Sequence, residues 1–213
     1  MSEISEISKI KEGRGKGSGP DYKPWIKIRE ISSLGTASTV QDYKNGREVH
    51  LLTQGELYYY YLLRWDDSVI DIREQFPLDL ATTKAICDEM GYMYPNNGRT
   101  HMTTDLLVTH VDGTYAAYCV KLDRKELDNP RTLEKIEIER LYWVRRGVEF
   151  RLVYKSDLNP LVIRNIMDVV SCYNPANVQD AFGAIRYMIA HKEIEVDFTK
   201  PIDYRALIKQ YTR

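Results

Sequence analysis

Apolar and polar positions along this chain follow two different periods, and the switches between them mark out elements. In "LLTQGELYYYYLLRW" (51–65) apolar side chains return at Leu57, Tyr60, Tyr61 and then Leu63 or Arg64, one face of an amphipathic helix. Thr53 stands at the N-cap of that helix with Glu56 three residues on, the spacing of a capping box. "SVIDIREQFPL" then changes to a period of two. Val69, Asp71 and Arg73 share one face, Ile70, Ile72 and Glu74 the other, and Pro77 ends the predicted strand. Residues 79–101 lose any period, and "GYMYPNNGR" is dense in turn formers; the expectation is a long loop with a short helix at Ala85–Met90. "TTDLLVTHVDGTYAAYCVK" (103–121) is two short apolar strands around Asp112-Gly113, a hairpin signal. Asn129 as N-cap, Pro130 at the first helical position, Arg145 and Arg146 at the end and Gly147 as a stop predict a helix over 130–146, and "VEFRLVY" one more strand.

Helix, strand, hairpin, helix, strand is the order of a mixed α/β core with helices covering a sheet. After Asn159-Pro160 the pattern changes to helices at about 160–172 and 175–191, a short strand at "IEVDF" and a helical "DYRALIKQY". The division expected is a core domain over 21–157 and a small, mostly helical region over 158–213, a candidate partner-binding module. Residues 1–20, with "KEGRGKGSG", are too polar to bury much surface and predict a flexible basic N-terminal arm. On DNA such an arm would order against phosphates through Lys11, Arg14 and Lys16.

Composition narrows the classes. The hydrophobic fraction of 43% and charged fraction of 29% are ordinary for a globular protein. Net charge is −1 over 213 residues, so any nucleic-acid contact has to be local. Cys87, Cys119 and Cys172 are isolated, which argues against a zinc site or disulfide framework and for a reducing compartment. No signal-peptide core and no membrane-length apolar run is present, so the expectation is a cytoplasmic protein without membrane association.

Three charged residues suggest chemistry by position. Glu56 lies in the first turn of the first core helix, Asp105 near the start of one hairpin strand, and Lys121 at the end of the other. Carboxylates beside a lysine suit phosphodiester hydrolysis: Mg²⁺ takes oxygen ligands and acidifies water, and the lysine steadies developing negative charge. Each also has an ordinary role, as a cap, a strand-start polar residue and an edge lysine respectively. The set acquires meaning only if the fold joins them.

The runs "KEGRGKGSGPDYKPW", "HLLTQGELYYYYLLRWDDSVIDIREQFPL", "MTTDLLV", "CVK" and "RTLEKIEIERLYW" resemble the TnsA family, the endonuclease subunits of heteromeric transposases, over most of residues 10–170. The resemblance implies a restriction-endonuclease-like α/β fold, a mixed sheet flanked by helices. It implies an active site of a helix glutamate, a strand aspartate and a Gln/Glu-x-Lys element, which fall on Glu56, Asp105 and Lys121. It further implies Mg²⁺, with Mn²⁺ able to substitute, held by Glu56, Asp105 and the Val120 backbone carbonyl. The implied activity is cleavage at the 5′ ends of a transposon in cut-and-paste transposition. The implied partners are transposon-end DNA, a TnsB-type DDE transposase and a TnsC-type AAA+ regulator.

The family's Gln or Glu falls here on Cys119, a poor ligand for a hard cation. Either that side chain is dispensable, or the site is weakened, or a neighbour such as Gln75 in "REQFPL" compensates. The alternative function is a non-catalytic DNA-binding or scaffolding subunit with a degenerate nuclease site. His50, His101, His110 and His191 show no metal-ligand spacing, Asp66-Asp67 reads as a solvated turn, and the Arg, Lys and Glu residues of 130–146 read as a solvated helix face laced with ion pairs.

Overall fold

A computed structural model describes residues 5–30 and 36–211 of the chain. The described residues fall into two units, one of residues up to Asp42 with Arg47–Asp157, the other of Tyr43–Gly46 with the segment from Leu158 onward.

The larger unit begins with a departure from the sequence expectation. Residues 5–20 are folded rather than a flexible arm. Ser5 caps a short helix, α1 (Glu6–Lys11), by accepting from the Ser8 amide at 3.2 Å. The glycine-rich loop behind it is held by backbone bonds: Gly15 N donates to Lys23 O at 2.7 Å, and Lys23 N to Lys16 O at 3.2 Å. Gly15 has φ 74, and a Cβ there would lie 2.3 Å from Pro77 Cγ. Only glycine fits that backbone and that approach. Arg14 is 3% exposed, with its guanidinium on the Trp25 carbonyl (3.1 Å), Glu30 (2.7 Å) and Glu12 (2.8 Å). Low apolar content predicted disorder, but a buried ion-pair network and left-handed glycines order the loop without an apolar core.

Strands β1 (Ser38–Gln41) and β2 (Glu48–Leu51) form an antiparallel ribbon that the sequence reading missed. Helix α2 (Gln54–Trp65) starts at Thr53, whose hydroxyl oxygen accepts from the Glu56 amide at 3.1 Å. Strand β3 (Val69–Pro77) follows. Helix α3 (Leu80–Met90) is eleven residues long, more than the short helix expected, because Asp79 caps its start and Gly91, at φ 67, its end. Strands β4 (Thr103–His110) and β5 (Tyr115–Lys121) make the hairpin, α4 (Pro130–Val144) crosses over, and β6 (Glu149–Tyr154) completes the sheet. The order is β3-β4-β5-β6, the first two pairings antiparallel and β5–β6 parallel. This is a mixed sheet flanked by helices, the α/β restriction-endonuclease-like arrangement.

The two faces carry different helices. Leu107 and Ala117 of the sheet pack with Ile86 of α3 and Ile138, Tyr142 and Trp143 of α4. On the other side α2 comes in at Gly55, where a Cβ would stand 3.0 Å from Val120 Cγ1. Alternation along β5 places Ala117 and Cys119 on the α4 side and Val120 on the α2 side.

The smaller unit contains α5 (Pro160–Val170), α6 (Ala181–Ala190) and α7 (Tyr204–Tyr211). Ile163, Ile166, Val169 and Val170 of α5 and Gly183, Ile185, Ile189 and Ala190 of α6 are buried. The strand expected at 194–198 does not form. Among the described residues no second strand pairs with it, and the Asn165 side-chain amide takes the carbonyls of Phe198 and Lys200 instead, at 2.9 Å each. The helix expected over 175–191 is divided, with a 3₁₀ turn at Pro175–Asn177 and a new start capped by Asp180. Among the described residues no helix is long and apolar enough to cross a membrane.

Candidate active site

The hairpin register builds the site. Leu106 pairs with Tyr118, so one further rung sets Asp105 level with Cys119. The Val120 amide donates to Asp105 Oδ2 at 2.7 Å and fixes the carboxylate at that end of the sheet. Lys121, two residues past Cys119, emerges on the same face. Burial works against its proton, but the charge of Asp105, foremost among its acidic neighbours, holds it and pushes its pKa above the usual lysine range. Its ammonium also donates to the Val120 carbonyl at 3.4 Å.

Glu56 arrives from α2 and is 3% exposed. Its carboxylate accepts from the Leu52 amide (2.9 Å), the Thr53 hydroxyl (3.1 Å) and the Gln75 side-chain amide (3.1 Å). Capping and site geometry therefore coincide in one side chain. Burial, followed by the charge of Asp105, pushes its pKa up to about 8. Gln75 is 2% exposed and has φ 47, a left-handed backbone inside a strand. β3–β4 pairing runs Glu74 with Leu106 and Phe76 with Thr104, and the rung it skips is Gln75 opposite Asp105. The Gln75 amide donates to Glu56, while the strand register sets Gln75 beside Asp105. Cys119 is 2% exposed, and burial, then Glu139 and Asp105, push its thiol well above the ordinary range. It is a small buried group rather than a thiolate.

Sequence reasoning missed Glu139 by assigning α4 a solvated charged face. Glu134 and Glu137 do pair with Arg131 and Arg140, but Glu139 turns inward and is 5% exposed. Its Oε1 has no hydrogen-bond partner among the described residues. The carboxylate leans on the Thr104 hydroxyl and the Cys119 thiol, and burial, then Asp105, push its pKa up to about 8. A signal was available: Ile136, Glu139, Tyr142 and Trp143 form a helical stripe, and a glutamate in an otherwise apolar stripe is a buried carboxylate.

Asp105, Cys119, Lys121 and Glu139 line one cavity of about 370 Å³, with His101 and Lys135 on its rim. His101 is engaged by Glu6 through its backbone amide (3.0 Å) and ring Nδ1 (2.5 Å). Glu56 and Gln75 do not line the cavity; they are reached from it through Asp105. Lys11, Arg14 and Lys16 do not line it either. Lys11 and Lys16 are exposed, whereas Arg14 is sealed in its ion pairs, which removes it from the candidate DNA contacts.

The donor set can be tested against a metal. Among the described residues no three His, Cys, Asp or Glu side chains converge closely enough to enclose one. Mg²⁺ does not require such a cage; it is commonly held by one or two carboxylates and keeps several waters. Hard oxygens at Asp105 and Glu56, the nearby Val120 carbonyl and the orphaned oxygen of Glu139 fit that pattern, and Cys119 does not.

The sequence model of the TnsA-like endonuclease N-terminal family matches residues 66–155, which hold Gln75, Asp105, Cys119, Lys121 and Glu139 but begin after Glu56. The Tn7 transposition protein TnsA of Escherichia coli is 38% identical over 169 residues, 78% of this chain. Over these stretches the chain is similar to TnsA. It spans 62% of the length of that TnsA, so the matched region is less than two thirds of the relative.

Proposed function

We propose that this TnsA-like chain is a metal-dependent DNA endonuclease subunit of a transposase, cutting the 5′ ends of a transposon while a TnsB-type DDE transposase handles the other strand. The observation that carries the reading is the meeting of Asp105, Lys121 and Glu139 in one cavity, with the buried Glu56 close enough to feel the charge of Asp105. Asp105 and Glu56, with the Val120 carbonyl, would hold Mg²⁺, or Mn²⁺ in its place. When bound, the cation acidifies water and offsets phosphate charge. The Lys121 ammonium, kept protonated by its carboxylate neighbours, positions the attacking water and stabilises charge developing on the phosphate oxygens. Asp105 stays fixed by the Val120 amide, so little reorganisation accompanies the reaction. Exposed Lys11 and Lys16 would meet DNA phosphates, and the 158–213 region would contact a TnsC-type AAA+ regulator. The deciding experiment is 5′-strand cleavage of transposon-end DNA with the partner transposase present, using Asp105→Ala and Lys121→Ala. Undiminished cleavage by either variant overturns the assignment.

Cys119 favours a second reading, a DNA-binding scaffold with a degenerate site. A buried, protonated thiol replaces an oxygen donor on the strand nearest Asp105. A scaffold would bind neither Mg²⁺ nor Mn²⁺ at Asp105.

A further inference from the structure

Gln75 occupies an unusual place. It is a buried side chain in a left-handed backbone, inside a strand, at a rung that the β3–β4 pairing skips. Nothing about glutamine favours that conformation, so its surroundings must impose it. They can be identified. The Trp25 amide donates to the Gln75 carbonyl at 3.2 Å, and Trp25 is held in turn by Arg14 on its own carbonyl at 3.1 Å. At the other end of the side chain, the Thr103 hydroxyl donates to Gln75 Oε1 at 3.0 Å. Oε1 being taken, the amide NH₂ is the free donor: it donates to Glu56 Oε2 at 3.1 Å, and the strand register sets Gln75 beside Asp105.

The side-chain NH₂ is thus bound to one candidate metal ligand, Glu56, and stands next to the other, Asp105. Its hydrogens use oxygen lone pairs that a metal needs. We infer that Gln75 is a gate beside the two carboxylates: its amide occupies Glu56 in the metal-free protein, next to Asp105, and must withdraw before Glu56 can join Asp105 in holding a divalent cation. This rests on the metal-dependent reading above and adds a residue that sets how readily the ion is admitted. Gln75 acts through Glu56 and Asp105 and is a positioning residue, not a catalytic one.

A gate lowers apparent metal affinity by the fraction of molecules in which it is open. The test is Mn²⁺ titration of the full chain by calorimetry, comparing wild type with Gln75→Met, which keeps the length of the side chain and removes its donors. The expected result is binding about tenfold tighter in the variant, corresponding to an open fraction near one tenth in wild type. Equal or weaker binding overturns the gate, because a residue that merely orients the carboxylates would lower affinity when lost. Should Gln75→Met fail to fold, the Gln75 side-chain NH₂ signals of ¹⁵N-labelled wild type are followed as Mg²⁺ is added. They are expected to shift and lose exchange protection as the Val120 amide reports Asp105 binding the ion, and an unmoved, protected NH₂ in the Mg²⁺-bound protein overturns the gate. Wild type that binds Mn²⁺ no better than Asp105→Ala overturns the metal reading and the gate together, whereas Asp105-dependent binding with no effect at Gln75 removes the gate alone.

Discussion

The Glu139 carboxylate of α4 and the Cys119 thiol of β5 share one buried corner of the cavity, on the side of the sheet opposite to α2. The charge of Asp105 reaches both Glu139 and Glu56, although these come from helices on different faces. That is achievable only at a sheet end, where the faces meet. The thiol cannot serve as a hard ligand, so the oxygen chemistry of this corner rests on Glu139. Cleavage by Cys119→Ala is expected to stay within about threefold of wild type, whereas Glu139→Gln should lose about 10- to 100-fold, the usual cost of losing an outer-sphere carboxylate. The reverse order of severity would refute this division of roles.

Cys119 should also be chemically quiet. Burial and adjacent carboxylates keep its thiol protonated near neutrality. Iodoacetamide at pH 7, followed by mass spectrometry, should leave Cys119 essentially unmodified in the native protein and label it only after denaturation. Rapid native labelling would mean a reactive thiolate.

The raised carboxylates make metal-free stability depend on pH in a defined direction. Glu56 and Glu139 titrate near 8 when folded, against roughly 4.3 when unfolded. Between those limits the folded state binds more protons, so their contribution is fully present below the unfolded value and is lost as pH rises through about 8. Each group can account for up to about 1.4 kcal/mol per pH unit in that window. Thermal denaturation in chelator from pH 5.5 to 8.5 should give a falling Tm, and Mg²⁺ should restore more stability at pH 8 than at pH 6.

Asp105→Asn separates this effect from general acid sensitivity. Asparagine still accepts from the Val120 amide, but its charge no longer raises Glu56 and Glu139. The slope of Tm against pH should become shallower, and added Mg²⁺ should no longer raise Tm. A slope as steep as wild type would show that burial alone sets these two groups.

At the N-terminus the charged residues should divide into two kinds. Arg14→Ala leaves Glu30 without its buried cation and should cost about 3 kcal/mol in urea denaturation, as breaking a buried ion pair does. Lys11→Ala and Lys16→Ala should leave stability within about 0.5 kcal/mol and, if these residues meet phosphates, reduce the salt slope of DNA binding by about one each.

Local pattern was enough to read the core elements, because α2, β3, the β4–β5 hairpin, α4 and β6 each carry a complete period with caps or turns at their ends. The β1–β2 ribbon escaped notice because only Val49 and Leu51 mark it. Glu56 was ambiguous in sequence for a physical reason: it does cap α2 and it also reaches the site. Glu139 was hidden because its neighbours on α4 do form solvent-facing ion pairs, and only the third dimension separates the one that turns in. The role of Gln75 depends on a backbone angle and a skipped rung, which no composition reveals.

The glycine-rich loop carries a practical consequence for anyone who trims this protein. A version started at residue 21 would look prudent on composition, yet it would delete the plug formed by Arg14 and uncover the Glu30 carboxylate and the Trp25 carbonyl. Through Trp25 the damage would run to the strand position beside Asp105, some sixty residues away in sequence by the chain numbering. A shortened protein that proves inert would say more about the cut than about the site.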